Sequence, residues 1–294
     1  MRLVGVSTHE NSPAQGFCDI FERAPPTRDD GYLEWLSAVV ARHSVDLIIP
    51  GIEADMYRWA EAVQELERGK AVRAMLNEPR LIALCKDKWA FYEAMRGSGM
   101  RCVIDSTLES DFDALAARCG LPFLLKPRSG YGSRGIIKVD SCASFAPHRE
   151  HVGPVLMAQP IVGTESEEFT TSAFGDGSGG FRAHMTLRRR LSSEGFTEWA
   201  EVVDLDDVAD VLHELCRRLR PIGPTNFQFR RHHGILKLLE INPRVSSATS
   251  IRTAFGYNEC AMSVAYYLDG QWPVQPVIRR GRAVRYVEDL IFYT

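Results

Sequence analysis

The chain is 294 residues long, with 45% hydrophobic and 25% charged residues and a formal charge of −3. That length supports a large core and two or three subdomains, and the composition is that of an ordinary globular protein. The charge argues against a general nucleic-acid binder. No apolar run reaches the ~18 residues of a membrane span. Met1–Ser7 lacks the long apolar stretch of a secretory signal. The seven cysteines (Cys18, Cys85, Cys102, Cys119, Cys142, Cys216 and Cys260) show no CxxC spacing. Reduced thiols and a cytoplasmic location are therefore expected, with no membrane and no nucleic-acid partner.

In chain order, Leu3–Ser7 reads as a strand and Tyr32–His43 as a helix with Leu33, Leu36, Val39 and Val40 at helical spacing. Asp46–Pro50 reads as a short strand stopped by Pro50-Gly51, and Glu53–Arg68 as a second amphipathic helix. Strand, helix, strand, helix suggests a parallel sheet. Pro79–Gly97 reads as one helix and Asp111–Cys119 as another, followed by the apolar run Pro122–Lys126. His148 and His151 fall in a loop beside Pro147 rather than in a zinc-type grouping. Asp206–Arg220 is a clear helix. Phe227–Phe229 and Leu236–Ile241 form a hairpin turning at His232-His233-Gly234. Glu259–Leu268 is a final helix and Ala283–Val287 a final strand.

Gly130-Tyr131-Gly132-Ser133-Arg134-Gly135 matches G-x-G-x-x-G. A dinucleotide site needs a helix after this motif, but the β-like Ile136–Val139 follows. A strand, a glycine turn and a strand make a flap instead, whose N–H groups can close over phosphates. Lys126 ends the apolar strand before it, within reach of phosphate, and no P-loop signature is present.

Leu238-Leu239-Glu240-Ile241-Asn242-Pro243-Arg244 carries the most specific signal. Alternation along a strand puts Glu240, Asn242 and, roughly, Arg244 on one face. Magnesium prefers such hard oxygen ligands beside substrate phosphates, and an arginine there offsets phosphate charge. The partner strand presents Asn226 and Gln228 two residues apart, with Gln228 expected close to Glu240.

Asn226–Phe229 and Glu240–Ser247 resemble the ATP-grasp modules of the carbamoyl-phosphate synthase large chain. They look still more like small carboxylate–amine ligases such as that of the pyrrolysine pathway. The resemblance runs from about Cys85 to Gly256. It implies an α/β chain, α+β in the lid, with an N-terminal parallel α/β pre-ATP-grasp domain over 1–79. That domain would lack its first strand–helix unit. An ATP-grasp domain would follow over 80–294, with a lid at about 107–160. It further implies that Lys88, after Asp87, contacts ATP phosphate. Lys126 stands for the strand lysine before the flap glycines Gly130, Gly132 and Gly135. Gln159 and Ile161 stand for the adenine hinge, with Gln159 where glutamate is common. Glu168 binds ribose, with Glu165 and Glu167 as alternatives. Gln228, Glu240 and Asn242 are the metal ligands, and Arg244 is the phosphate-binding arginine.

The reaction so implied is ATP-dependent ligation of a small-molecule carboxylate to an amine through an acyl phosphate, with ADP and phosphate released. Lys126 and Arg244 would be the catalytic cations. Two Mg²⁺ ions, or Mn²⁺, would serve as cofactors, and a homodimer is the plausible assembly. Two rival readings remain: a carboxyphosphate-forming enzyme and a nucleotide-binding regulatory protein. Among the basic clusters, Arg188-Arg189-Arg190 is a candidate for the substrate carboxylate, while solvated faces are expected at Arg217-Arg218 and Arg279-Arg280.

Overall fold

The computed structural model describes residues 1–67, 72–130 and 135–292. The chain divides into two compact units: Met1–Leu76 with Val264–Gln271 and Tyr286–Thr294, and Asn77–Ser263 with Trp272–Arg285.

In the first unit β1 (Val4–Ser7) pairs in parallel with β2 (Ile20–Arg23). After α1 (Tyr32–His43), β3 (Leu47–Ile48) precedes α2 (Glu53–Glu67) and pairs in parallel with β4 (Arg73–Ala74). The parallel pairing expected from the element order is present, but as two two-stranded sheets. The predicted helix end at Arg68 lies outside the described residues. Helix α1 buries Tyr32, Leu36, Val39 and Val40 on one face, as its spacing requires. It stops where Ser44 turns left-handed at φ 51°. The buried Trp59 indole donates to Tyr32 Oη (3.1 Å), which donates in turn to Asp55 Oδ1 (3.0 Å), so the inward polar groups are satisfied.

The second unit begins with α3 (Pro79–Lys86) and α4 (Lys88–Met95), where the sequence predicts one helix. The break is chemical. Asp87 is extended (φ −112°, ψ 110°), and its Oδ1 accepts from the N–H groups of Trp89 (2.8 Å) and Ala90 (3.2 Å). An aspartate that caps the next turn competes with continuing the helix. After α5 (Phe112–Cys119), β5 (Phe123–Pro127) forms a small antiparallel sheet with β6 (Ile137–Val139) and, beyond α6 (Cys142–Phe145), with β7 (Leu156–Pro160). Phe123, Leu125, Phe145 and Ala158 fill its core.

A six-stranded sheet forms the rest. Strands β8 (Glu168–Asp176), β9 (Phe181–Leu191) and β10 (Thr197–Val203) precede α7 (Val208–Leu219). The hairpin β11 (Ile222–His232) and β12 (Ile235–Asn242) follows, then α8 (Thr249–Ala254), α9 (Glu259–Asp269) and β13 (Arg282–Val284). The order is β12-β11-β8-β9-β10-β13. One face packs on α7 and α4 through Phe169, Phe227, Phe229, Leu212 and Met95. Ala183, Met185 and Leu187, on the other face, meet Ile251 and Tyr257 around α8. Successive side chains alternate across strands, so residues next to Phe227 and Phe229, among them Gln228, point away from the α7 layer.

Candidate active site

The site grows from three local features of the second unit. First, the Asp87 break places Lys88 at the start of α4. Arg128 clamps it: its Nη2 lies 2.6 Å from Asp87 Oδ2, and its carbonyl accepts from Lys88 N at 2.8 Å. Lys88 Nζ donates to Gly130 O at 2.9 Å.

Second, the β5–β7 register pairs Leu124 with Gln159, so Lys126 and Gln159 share a face. Lys126 Nζ donates to Gln159 Oε1 (3.3 Å), and Gln159 Nε2 donates to Ser106 Oγ (2.8 Å). Lys126 is only 8% exposed. Burial pushes its ammonium down to about 8, opposed chiefly by the Glu240 carboxylate and reinforced by Lys88.

Third, the β11–β12 hairpin sets Gln228 opposite Glu240 and Asn226 opposite Asn242, with a register shift just after Gln228. Asn242 Nδ2 donates to Glu240 Oε1 at 3.0 Å, and Arg244 Nη1 donates to Val245 O at 2.9 Å.

Lys88, Lys126, Gln159 and Glu240 line one cleft with the apolar Val103, Ile104, Met157 and Leu239. Cys85 borders the same cleft, but burial and the Glu240 charge push its thiol up to about 12, so it stays protonated and unreactive. Ile161, just past β7, is half-buried and is not part of that lining. Gly130 (φ 130°) and Gly135 (φ 73°) hold backbone conformations that favour glycine. Gly132, with the rest of 131–134, lies outside the described residues.

Glu168 opens β8 and is 4% exposed. Its Oε1 accepts from Arg189 Nε (3.1 Å) and Nη2 (3.0 Å), and its Oε2 from Arg230 Nε (2.9 Å). Both oxygens that the resemblance assigns to ribose are thus engaged by guanidinium groups. Glu165 and Glu167 are exposed in the preceding 3-10 turn. Arg189 Nη2 also donates to Gln228 Oε1 at 2.6 Å, so the oxygen expected on a metal bonds a cation.

The arginine triplet therefore separates by strand alternation. Arg188 pairs with Glu201 (2.5 Å) and Arg190 with Glu198 (2.6 Å), both on the more exposed side, while Arg189 turns inward. Each of the three has a carboxylate partner. Period-two alternation along 181–191 would have isolated Arg189 from the sequence; its partners would not have followed.

Two buried groups outside the sequence expectations brace the hairpin. Arg252 and Glu259 are both fully buried, with Arg252 Nη1 3.6 Å from Glu259 Oε1. Arg252 also bonds Ser246 Oγ, Thr170 Oγ1 (3.0 Å) and Asn226 Oδ1 (3.0 Å), and Ser172 Oγ bonds Glu259. Asn226 is consequently a structural tie rather than a site group. Asn77 donates to Pro243 O (3.1 Å) and accepts from Ile222 N (2.7 Å), fixing the start of β11 to the turn after Asn242.

The donor set can be weighed against the divalent ion that such a cleft implies. Glu240 and Asn242 offer a carboxylate and an amide oxygen from neighbouring positions on one face, which suits one hard cation. Gln228, opposite Glu240, already has its oxygen bonded to Arg189.

A family model described as ATP-grasp in the biosynthetic pathway with Ter operon matches residues 165–290. The formate-dependent phosphoribosylglycinamide formyltransferase of Synechococcus sp. (strain CC9605) is 29% identical over 151 residues, 50% of this chain and 36% of that protein. The match thus spans little more than a third of that relative's length. Among solved structures, N5-carboxyaminoimidazole synthetase from Staphylococcus aureus superposes with a TM-score of 0.73 at 17% identity, covering 94% of this chain and 73% of that one. The biotin carboxylase domain of Hydrogenobacter thermophilus 2-oxoglutarate carboxylase, crystallised with MgADP, ADP and bicarbonate, gives 0.75 at 14% identity, covering 96% and 68%. Among the described residues no helix is long and apolar enough to cross a membrane. The arrangement of the small β5–β7 sheet, the six-stranded sheet and the hairpin carrying Glu240 and Asn242 is the ATP-grasp fold.

Proposed function

We propose that this chain is an ATP-dependent carboxylate–amine ligase that works through an acyl phosphate. The observation that carries the reading is the convergence of Lys88, Lys126, Gln159 and Glu240 on one cleft of an ATP-grasp fold. The apolar wall of Val103, Ile104 and Met157 suits a purine, and the two ammonium groups suit its phosphates. In the first step a carboxylate oxygen attacks the γ-phosphorus, the bond to the bridging oxygen breaks, and ADP departs. An amine nitrogen then attacks the acyl carbon, phosphate leaves, and the amine gives up a proton.

Such phosphoryl transfer depends on positioning and charge neutralisation. Lys126 is held rigidly by its buried strand and by Gln159, so its charge is fixed before the reaction and needs no reorganisation. Lys88 is placed by the Asp87 cap, and Arg244 sits two residues beyond Asn242. Glu240 and Asn242 would hold Mg²⁺, which neutralises phosphate charge when bound.

The test is ADP and phosphate release by purified protein with ATP, Mg²⁺ and a panel of amino acids and simple amines. Release that requires both an acid and an amine supports ligation. Release with bicarbonate alone identifies a carboxyphosphate-forming enzyme. Nucleotide binding without release under any substrate identifies a regulatory protein.

A further inference from the structure

The fold's usual chemistry invites a second metal ion at Gln228, yet the structure puts a guanidinium there. Arg189 Nη2 lies 2.6 Å from Gln228 Oε1, and the same guanidinium makes two N–H contacts to Glu168. Its side chain is 7% exposed, fixed by bonds to two strands. Among the described residues Arg189 Nη1 has no hydrogen-bond partner, so two of the five N–H donors remain available to an anion.

The charges around it point the same way. Glu240 is the carboxylate that the hairpin stripe contributes, since Gln228 and Asn242 are neutral. Glu168, the other acidic group nearby, has both oxygens taken by Arg189 and Arg230. A dication on Gln228 would share its amide oxygen with a guanidinium, and the one carboxylate left to offset the repulsion, Glu240 across the hairpin, is the one an ion on Asn242 would also use. A guanidinium and a second ion do equivalent work on phosphate oxygens: both supply fixed positive charge, and the guanidinium adds directional N–H donors.

We propose that Arg189 stands in place of a second metal ion, so that the site takes one divalent cation, on Glu240 and Asn242, while the Arg189 guanidinium meets the anionic substrate. This inference rests on the nucleotide-binding reading above, and the experiment separates the two. Mn²⁺ is titrated into the full chain with a non-hydrolysable ATP analogue. Bound ion is counted by the loss of the free Mn²⁺ electron paramagnetic resonance signal, and analogue binding is followed in parallel by calorimetry.

One Mn²⁺ per bound analogue is expected, with no spin coupling between ions. In Gln228→Leu the single ion should bind within about twofold of the wild-type affinity, since that oxygen is not a ligand. In Arg189→Met a second Mn²⁺ should enter, or analogue affinity should fall about tenfold or more. Two coupled ions in the wild-type protein, or loss of the single ion in Gln228→Leu, overturns the stand-in role while leaving the nucleotide site intact. Analogue binding with no Mn²⁺ taken up overturns the single-ion assignment, and failure to bind the analogue overturns the nucleotide reading with it.

Discussion

Replacing Lys126 with methionine should make the protein more stable and unable to hold nucleotide. The buried ammonium falls from its ordinary 10.5 to about 8 because burial disfavours its charge. At about 1.4 kcal/mol for each tenfold change in proton affinity, that shift corresponds to about 3 kcal/mol of destabilisation at neutral pH. Methionine fills similar space without the charge. It leaves Gln159 Oε1 without its 3.3 Å partner, a loss of about 1 kcal/mol. The net gain expected at pH 7 is about 2 kcal/mol. The sign of the pH dependence follows from linkage. Below about 8 the lysine is protonated in folded and unfolded chains alike, so the full penalty applies. Between about 8 and 10.5 the unfolded chain binds more protons, and the wild type gains stability as pH rises. Above 10.5 the penalty is gone. Urea unfolding of both proteins at pH 7, 8, 9 and 10 isolates the effect, because every other titrating group is common to the two. A stability gap that does not shrink with pH, or a methionine variant clearly less stable at pH 7, would refute the reasoning.

Three further outcomes are expected. Glu240→Ala should abolish ADP release while far-UV circular dichroism and cooperative melting persist; full activity in that variant would sink the metal assignment. Binding of a non-hydrolysable ATP analogue at pH 8 should take up on the order of half a proton, because phosphate recharges Lys126 near its midpoint. Calorimetry in buffers of different ionisation enthalpy measures this, and zero uptake would remove Lys126 from the phosphate site. Glu259→Leu should cost about 3–5 kcal/mol in urea unfolding by leaving Arg252 buried without its carboxylate, and Arg252→Met in the same chain should restore much of the loss. A single-variant cost below about 1 kcal/mol would show that the pair does not compensate.

Much of this arrangement is legible in the sequence because it is local. Helical spacing places Tyr32–His43 where the structure has it, and the turn at His232-His233-Gly234 fixes the hairpin register as far as Phe229 opposite Leu238, after which a one-residue shift sets Gln228 opposite Glu240. What is not legible depends on partners far along the chain. The Pro79–Gly97 pattern reads as one helix because its apolar spacing runs through Asp87, whose cap on the next turn is held by Arg128, 41 residues on. Arg189 looks like its neighbours until β8 supplies Glu168 and β11 supplies Gln228. Nothing in the sequence singles out Arg252 or Glu259, and only the folded layer shows them buried together.

The same long-range pairings explain the order in which ligands should bind. Lys126 and the cations acting on it, Lys88 and Arg230, outnumber the carboxylates of Glu168 and Glu240. Glu168 is spent on two arginines, and Glu240 faces a lysine whose charge is already disfavoured by burial. A free dication meets this surplus of positive charge and gains a single carboxylate, whereas a polyphosphate relieves the surplus at once. Nucleotide should therefore bind before metal or together with it. By mass action it should stabilise the fold more than Mg²⁺ alone can, because its phosphates offset the burial penalty on the Lys126 charge.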